Sequence, residues 1–284
     1  MSLTRLSEED ILPLTCTREG TCCYQKQIWI NPWELNMLAW ARGLTVSAFR
    51  AQYTEAGGIR LRFQASGKRM CSQLDPKQGC LAYLGRPLAC RLYPLGRQLQ
   101  GDTLTYVHPG KRLPCLDACP SVTHLKHLTV AQYLATQEID APVLAQDAYL
   151  ELAQSLGEAA FELLLETPLA ASGDRQTLRR WTTLGNMSAD ARAQALPASL
   201  LSVLTEGSPL HLPLAQEAFI QDHQERLQEA LQPVLNTEQP LPALSQASST
   251  LMGLALQLAQ SVGADVSALC QRWIATAEQH GARR

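Results

Sequence analysis

Eight of the nine cysteines fall within the first 120 residues: Cys16, the adjacent pair Cys22-Cys23, Cys71, Cys80, Cys90, Cys115 and Cys119. The ninth, Cys270, stands alone. Where thiols are kept reduced, clustered cysteines are more often metal ligands or redox groups than disulfides, and an odd total fits poorly with a fully paired framework. A closed zinc site needs four nitrogen or sulfur ligands in a tetrahedron, and a 4Fe–4S cluster needs four thiolates. Eight cysteines therefore match two four-ligand sites, or one with thiols to spare, and all eight are candidate metal ligands. Their successive separations are six, one, forty-eight, nine, ten, twenty-five and four residues. Cysteines with two residues between them are absent, which argues against a zinc ribbon and a bacterial-ferredoxin run. Thiolate softness does not separate zinc from an iron–sulfur cluster.

The elements that must position these thiols are short. Asn31-Pro32-Trp33-Glu34 carries a helix-start signature, and the helix runs to Arg42 before Gly43. Thr45 caps a second helix, Val46 to Tyr53. Alternation predicts strands over Gln27–Ile30 and Ile59–Phe63, with a return strand from Lys68 to Leu74 after a turn at Ser66-Gly67-Lys68. A turn over Asp75–Gly79 delivers Cys80, and Cys90 is expected in a turn after Arg86-Pro87. A second hairpin is expected around Gly101-Asp102, and Ser7 to Asp10 opens a helical turn.

From Ser121 onward the composition shifts to Ala, Leu, Gln and Glu. Helices are predicted at Val143–Glu166, Gln176–Leu184, Ala189–Leu196, Leu200–Leu204, Leu214–Leu231, Ala247–Val262 and Val266–Gln279, with a shorter one capped by Thr129. The expected fold class is an α+β N-terminal metal-binding domain of short hairpins and helices, residues 1–125, followed by an all-α helical region, residues 126–284.

Charge divides along the same line. Residues 1–120 carry 15 Lys and Arg against 9 Asp and Glu, while residues 121–284 carry 9 against 17, for an overall charge of −2. A near-neutral total gives no global affinity for nucleic acid or anionic membrane. The basic excess is read as an offset to metal-bound sulfur rather than a nucleic-acid surface. No run of about 18 apolar residues is present, so no membrane span is expected. The opening MSLTRLSEEDILPLT lacks the pattern of a secretory leader, and the cytoplasm is the expected compartment.

The cysteine string resembles the YkgJ-type cysteine-cluster family, described as a zinc- or iron-chelating domain. The residues that carry the likeness are Cys16 with Cys22-Cys23, Cys71-Ser-Gln-Leu-Asp75, Gly79-Cys80, and Arg86-Pro87-Leu-Ala-Cys90-Arg91-Leu-Tyr93-Pro94. The last segment is the most specific, and the likeness spans roughly residues 12–97. One departure is that Cys16 and Cys22 enclose five residues, where the family's first motif often has cysteines three apart. The resemblance implies metal ligands more firmly than an activity. A related layout occurs in flagellin lysine N-methylases, which Cys115 and Cys119-Pro120 resemble. That likeness implies a cluster-dependent protein-modifying enzyme using S-adenosylmethionine, although no glycine-rich loop for that cofactor is visible.

Other residues were weighed against ordinary structural roles. His124 and His127 lie three apart and suit a metal, but a surface pair at a helix start explains them as well; His108 is a weaker candidate. Arg86, Arg91 and Arg97 suit neutralising a thiolate cluster or clamping a carboxylate or phosphate, with an internal ion pair as the plain alternative. Tyr93, Trp33 and Cys270 read as core. No Walker-type loop, nucleophile elbow or dinucleotide fingerprint is present. The leading expectation is a cytoplasmic metalloprotein holding zinc or an iron–sulfur cluster. Its alternatives are the methylase-type enzyme and a structural-zinc adaptor that binds a protein partner through its helical half.

Overall fold

The structure is a computed structural model that describes residues 4–12, 23–64, 69–100, 103–108, 127–167, 169, 175–208 and 216–282. Cys16, Cys22, Cys115, Cys119 and His124 lie outside the described residues, as do the turns expected at Ser66-Gly67-Lys68 and Gly101-Asp102.

The chain opens with strands β1 (Thr4–Leu6) and β2 (Ile11–Leu12). Between them, Ser7–Asp10 is a reverse turn rather than a helical one, closed by Ser7 N donating to Asp10 Oδ2 at 2.7 Å. Helices α1 (Pro32–Ala41) and α2 (Val46–Tyr53) follow, then β3 (Thr54–Glu55), a 3-10 turn (Ala56–Gly58) and β4 (Arg60–Leu61). Next come β5 (Leu74–Asp75), β6 (Gly79–Cys80), a 3-10 turn (Tyr83–Gly85), α3 (Leu88–Leu92), β7 (Gly96–Gln100) and β8 (Thr103–His108). Strand β9 (Leu128–Thr129) leads into α4 (Val130–Ala135). The rest is helical: α5 (Asp140–Leu165), α6 (Arg175–Asn186), α7 (Ala189–Ala195), α8 (Ala198–Glu206), α9 (Gln216–Leu231), α10 (Leu241–Ser261) and α11 (Val266–Gln279). This is the expected succession, an α+β part and then an all-α part.

Pairing is antiparallel throughout. β1, β8 and β7 form a three-stranded sheet in that order, while β2–β9, β3–β4 and β5–β6 are two-stranded ribbons. Several predicted strands shrink to single bridges. Trp29 bridges Arg60, Tyr24 bridges Met70, and Phe63 bridges Cys71, where continuous strands over Gln27–Ile30, Ile59–Phe63 and Lys68–Leu74 were expected. Alternation marks which side chains point inward, but not how far the ladder of hydrogen bonds extends.

Helix α1 is the hinge of the packing. Its N-terminus is the helix start read from the sequence, and the structure closes it into a capping box: Asn31 Oδ1 accepts from Glu34 N at 2.9 Å, and Glu34 Oε2 accepts from Asn31 N at 3.0 Å. One side of α1 sends Trp33 into the helical core. The other side packs Leu35, Leu38 and Ala39 with Ile28, Ile30, Phe49 and Leu61 into a smaller core beneath the cysteines. A helix apolar on both sides is buried on both. The turn before α3 lies directly on α1: a Cβ added at Gly85 would stand 2.2 Å from Met37 O and 2.6 Å from Met37 C. Backbone cannot yield as a flexible side chain can, so Gly85→Ala is expected to cost about 1–3 kcal/mol by forcing the turn off α1. Urea denaturation checks this; an unchanged midpoint would mean that the approach is looser than described.

In the helical part α10 is the central element, buried on nearly every side between Leu244 and Ala259 and packed against α5 and α6. The two parts are laced together. Arg50 Nη1 meets Glu206 Oε1 at 2.6 Å, Arg60 Nη2 meets Asp190 Oδ2 at 2.9 Å, and Arg97 forms a two-pronged pair with Asp147 at 2.7 Å for each prong. Gln257, wholly buried in α10, donates to Ala56 O at 2.8 Å and accepts from Arg192 Nε at 3.0 Å.

The helical core also contains a buried histidine. Val203 O can only accept, so His223 Nε2 donates to it at 2.9 Å, and Nδ1 is left to accept from Tyr149 Oη at 2.9 Å. Burial pushes the His223 pKa down to about 4. A lowered folded-state value gives stability that is present above the ordinary 6.5 and lost as pH falls through about 4. The expected loss between those limits is roughly 3 kcal/mol, read as the pH dependence of the difference in urea midpoint between wild type and His223→Gln.

Candidate metal centre

Four cysteines lie within the described residues of the N-terminal part, and all four line one cavity of about 660 Å³: Cys23, Cys71, Cys80 and Cys90. Each arrives on its own piece of chain. Cys23 and Cys71 are tied through their backbones, with Cys71 N donating to Cys23 O at 2.8 Å. Cys80 ends the β5–β6 ribbon in register with Leu74. The turn of that ribbon is set by Asp75, whose Oδ1 accepts from Lys77 N at 2.7 Å and Gln78 N at 2.8 Å, and by Gly79 at φ +78°. Cys90 sits on α3, a short helix where the sequence suggested a turn. Proline at position 87 stops what precedes it, yet its fixed φ also suits a helix start.

Two buried charged groups hold α3 in place. Glu34 Oε1 accepts from Leu88 N at 2.6 Å, so one carboxylate caps both α1 and α3. Burial raises the Glu34 pKa to about 7, against the pull of those two N–H groups and of Arg91. Arg91, 7% exposed, spends its guanidinium on backbone carbonyls: Nε to Arg86 O at 2.9 Å, Nη1 to Gln137 O at 3.0 Å and Nη2 to Leu84 O at 2.9 Å. Its pKa is lowered, first by burial and then by Arg86.

The three arginines singled out from the sequence therefore separate. Arg91 is a clamp on the loops around α3, and Arg97 is paired with Asp147. Arg86 alone reaches the cavity, its guanidinium carbon 3.6 Å from the centroid of the Tyr83 ring. Lys26, which no motif singled out, also lines the cavity, donating to Ala89 O at 3.1 Å and lying 4.4 Å from the centroid of the Tyr93 ring. His127 is exposed, and His108 ends β8 with its pKa lowered by burial. Tyr93 is buried and Trp33 is core, as expected. Cys270 is buried in the helical core, its Sγ donating to Trp181 O at 3.2 Å.

Half-buried thiols lining one cavity are a donor set that fits zinc or iron. Among the described residues no three Cys, His, Asp or Glu side chains stand close enough together to hold an ion. The four cysteines share a cavity rather than a finished coordination sphere. Also among the described residues, no helix is long and apolar enough to cross a membrane.

Comparison with known proteins adds one finding. Residues 15–107 match the sequence model of the CxxCxxCC family, described as "Putative zinc- or iron-chelating domain". No curated protein and no solved structure matches the chain.

Proposed function

We propose that the segment 15–107, which matches the model of the zinc- or iron-chelating CxxCxxCC family, holds zinc or an iron–sulfur cluster through cysteine thiolates. Cys23, Cys71, Cys80 and Cys90 are the ligands assigned first, with Cys16, Cys22, Cys115 and Cys119 as the remaining candidates. The observation that carries this reading is that four cysteines scattered from residue 23 to residue 90 line a single cavity. Thiolates are the form that binds metal, and the cytoplasm, where we place the protein, keeps them reduced.

A bound metal would supply cross-links between segments that have little regular structure of their own. Around it, this chain's residues have distinct tasks. The β5–β6 ribbon presents Cys80, Glu34 and Arg91 fix the helix that carries Cys90, and the Cys71–Cys23 backbone bond sets those two thiols side by side in the chain path. Lys26 and Arg86 bring positive charge to a cavity that thiolates make negative.

The test is protein purified without oxygen, with an absorption spectrum and with iron, sulfide and zinc quantified per chain. Brown protein with matching iron and sulfide identifies a cluster. Colourless protein with one or two zinc ions identifies a zinc site. Stoichiometric amounts of neither metal would overturn the proposal.

A further inference from the structure

The geometry points to a second occupant: we propose that the cysteine cavity also binds a small molecule bearing a carboxylate or phosphate group, gripped by Lys26 and Arg86. The inference rests on the metal-binding reading for its setting, but the grip belongs to residues that are not ligands.

Among the described residues three cations line the cavity, Lys26, Lys77 and Arg86, against one carboxylate, Asp75, and the four cysteines, whose thiolate charge a bound divalent ion would half neutralise. Asp75 is already occupied, since its Oδ1 holds two backbone N–H groups of its own turn. Among the described residues none of the three cations has a carboxylate partner within 4 Å, whereas Arg50, Arg60, Arg91 and Arg97 all do.

Arg86 uses only Nε, donating to Tyr83 O at 3.1 Å, and lies over the ring of that same tyrosine. Its Nη1 and Nη2 make no hydrogen bond to the described residues, which leaves the two-pronged edge intact. That edge matches a carboxylate or phosphate in a planar, bidentate way. Among the described residues Lys26 is likewise held by one carbonyl and one ring, which leave two of its N–H directions unspent. Both side chains are half-buried, so their unused donors sit where hydration is poorer than at an open surface.

The size of the cavity separates this role from simple charge balance. A tetrahedral zinc lies only about 2.3 Å from each sulfur. A cavity of 660 Å³ is within the range of roughly 300–1,000 Å³ found for small-molecule sites. Balancing thiolate charge requires neither that space nor an undivided guanidinium edge.

The experiment uses full-length protein as purified without oxygen, with metal content measured on every sample. Inorganic phosphate and malonate are titrated separately by calorimetry, which distinguishes a phosphate site from a carboxylate site. The expected result is one-to-one binding of at least one of them. Arg86→Gln and Lys26→Gln should each weaken it at least about ten-fold when compared with wild type at equal metal content per chain. Absence of binding by either anion to metal-loaded wild type would overturn the inference and leave the metal reading standing. Equal binding by wild type and both variants would also overturn it. Variants that lose metal, beside a wild type that binds no anion, would reduce Lys26 and Arg86 to charge balance. Anion binding that depends on Arg86 in protein without metal would support the anion site and sink the metal reading.

Discussion

Cys80→Ser and Cys90→Ser are each expected to lose bound metal and soluble protein together. The core under the cysteines is small, and the segments that bear them are two-residue strands, single bridges and a five-residue helix. Such pieces bury too little apolar surface to hold their own arrangement, so a metal that ties them together supplies folding free energy directly. A structural zinc contributes on the order of 10 kcal/mol, comparable to the whole stability of an ordinary domain. Removing one thiolate of four therefore does more than remove one bond. Cys270→Ser is the control, because Cys270 lies in the other core and a serine hydroxyl can still donate to Trp181 O. The readouts are metal per chain and the soluble fraction. If Cys80→Ser and Cys90→Ser both kept wild-type metal and folding, the ligand assignment would fail.

Glu34→Ala is expected to cost about 4 kcal/mol, since it orphans the N–H groups of Asn31 and Leu88 and opens a cavity between α1 and α3. It should also lower metal content, because it frees the N-terminus of the helix that carries Cys90. The titration of Glu34 gives this prediction a signature that packing alone lacks. Its folded-state pKa, about 7, lies above the ordinary 4.5. Stability from this group is therefore complete below 4.5 and is lost as pH rises through about 7, by roughly 3 kcal/mol in total. Glu34→Gln keeps the shape without the ionisation, so the difference between its urea midpoint and that of the wild type should change with pH between the ordinary 4.5 and about 7. A difference that stays constant across that window would assign the effect to another group.

The glutamate also marks where reading the sequence stops. Asn31, Pro32 and Glu34 stand within four residues, so the helix start was legible, since its partners are fixed by helix geometry. The second bond of Glu34, to Leu88, joins positions 54 apart, and no periodicity relates them. The arginines show the same divide. Arg86, Arg91 and Arg97 looked equivalent in one motif-rich segment, yet one faces the cavity, one grips carbonyls as far away as Gln137, and one pairs with Asp147. Long amphipathic helices such as α5 and α11 were readable because burial repeats along them. Strands β2 and β9 were not, because two residues are too few to carry a period, and their partner lies over a hundred positions away.

Gln257 stands near the C-terminal end of α10 and holds the carbonyl of Ala56, the residue that begins the turn after β3. With Arg60–Asp190 and Arg50–Glu206 it ties the helical bundle to the cysteine part, and the two are expected to melt as coupled rather than independent units. Whatever occupies the cavity then protects helices that it never touches. At a ligand concentration a hundred times its dissociation constant that protection is about 2.7 kcal/mol, and thermodynamic reciprocity makes a loosened bundle a weaker chelator.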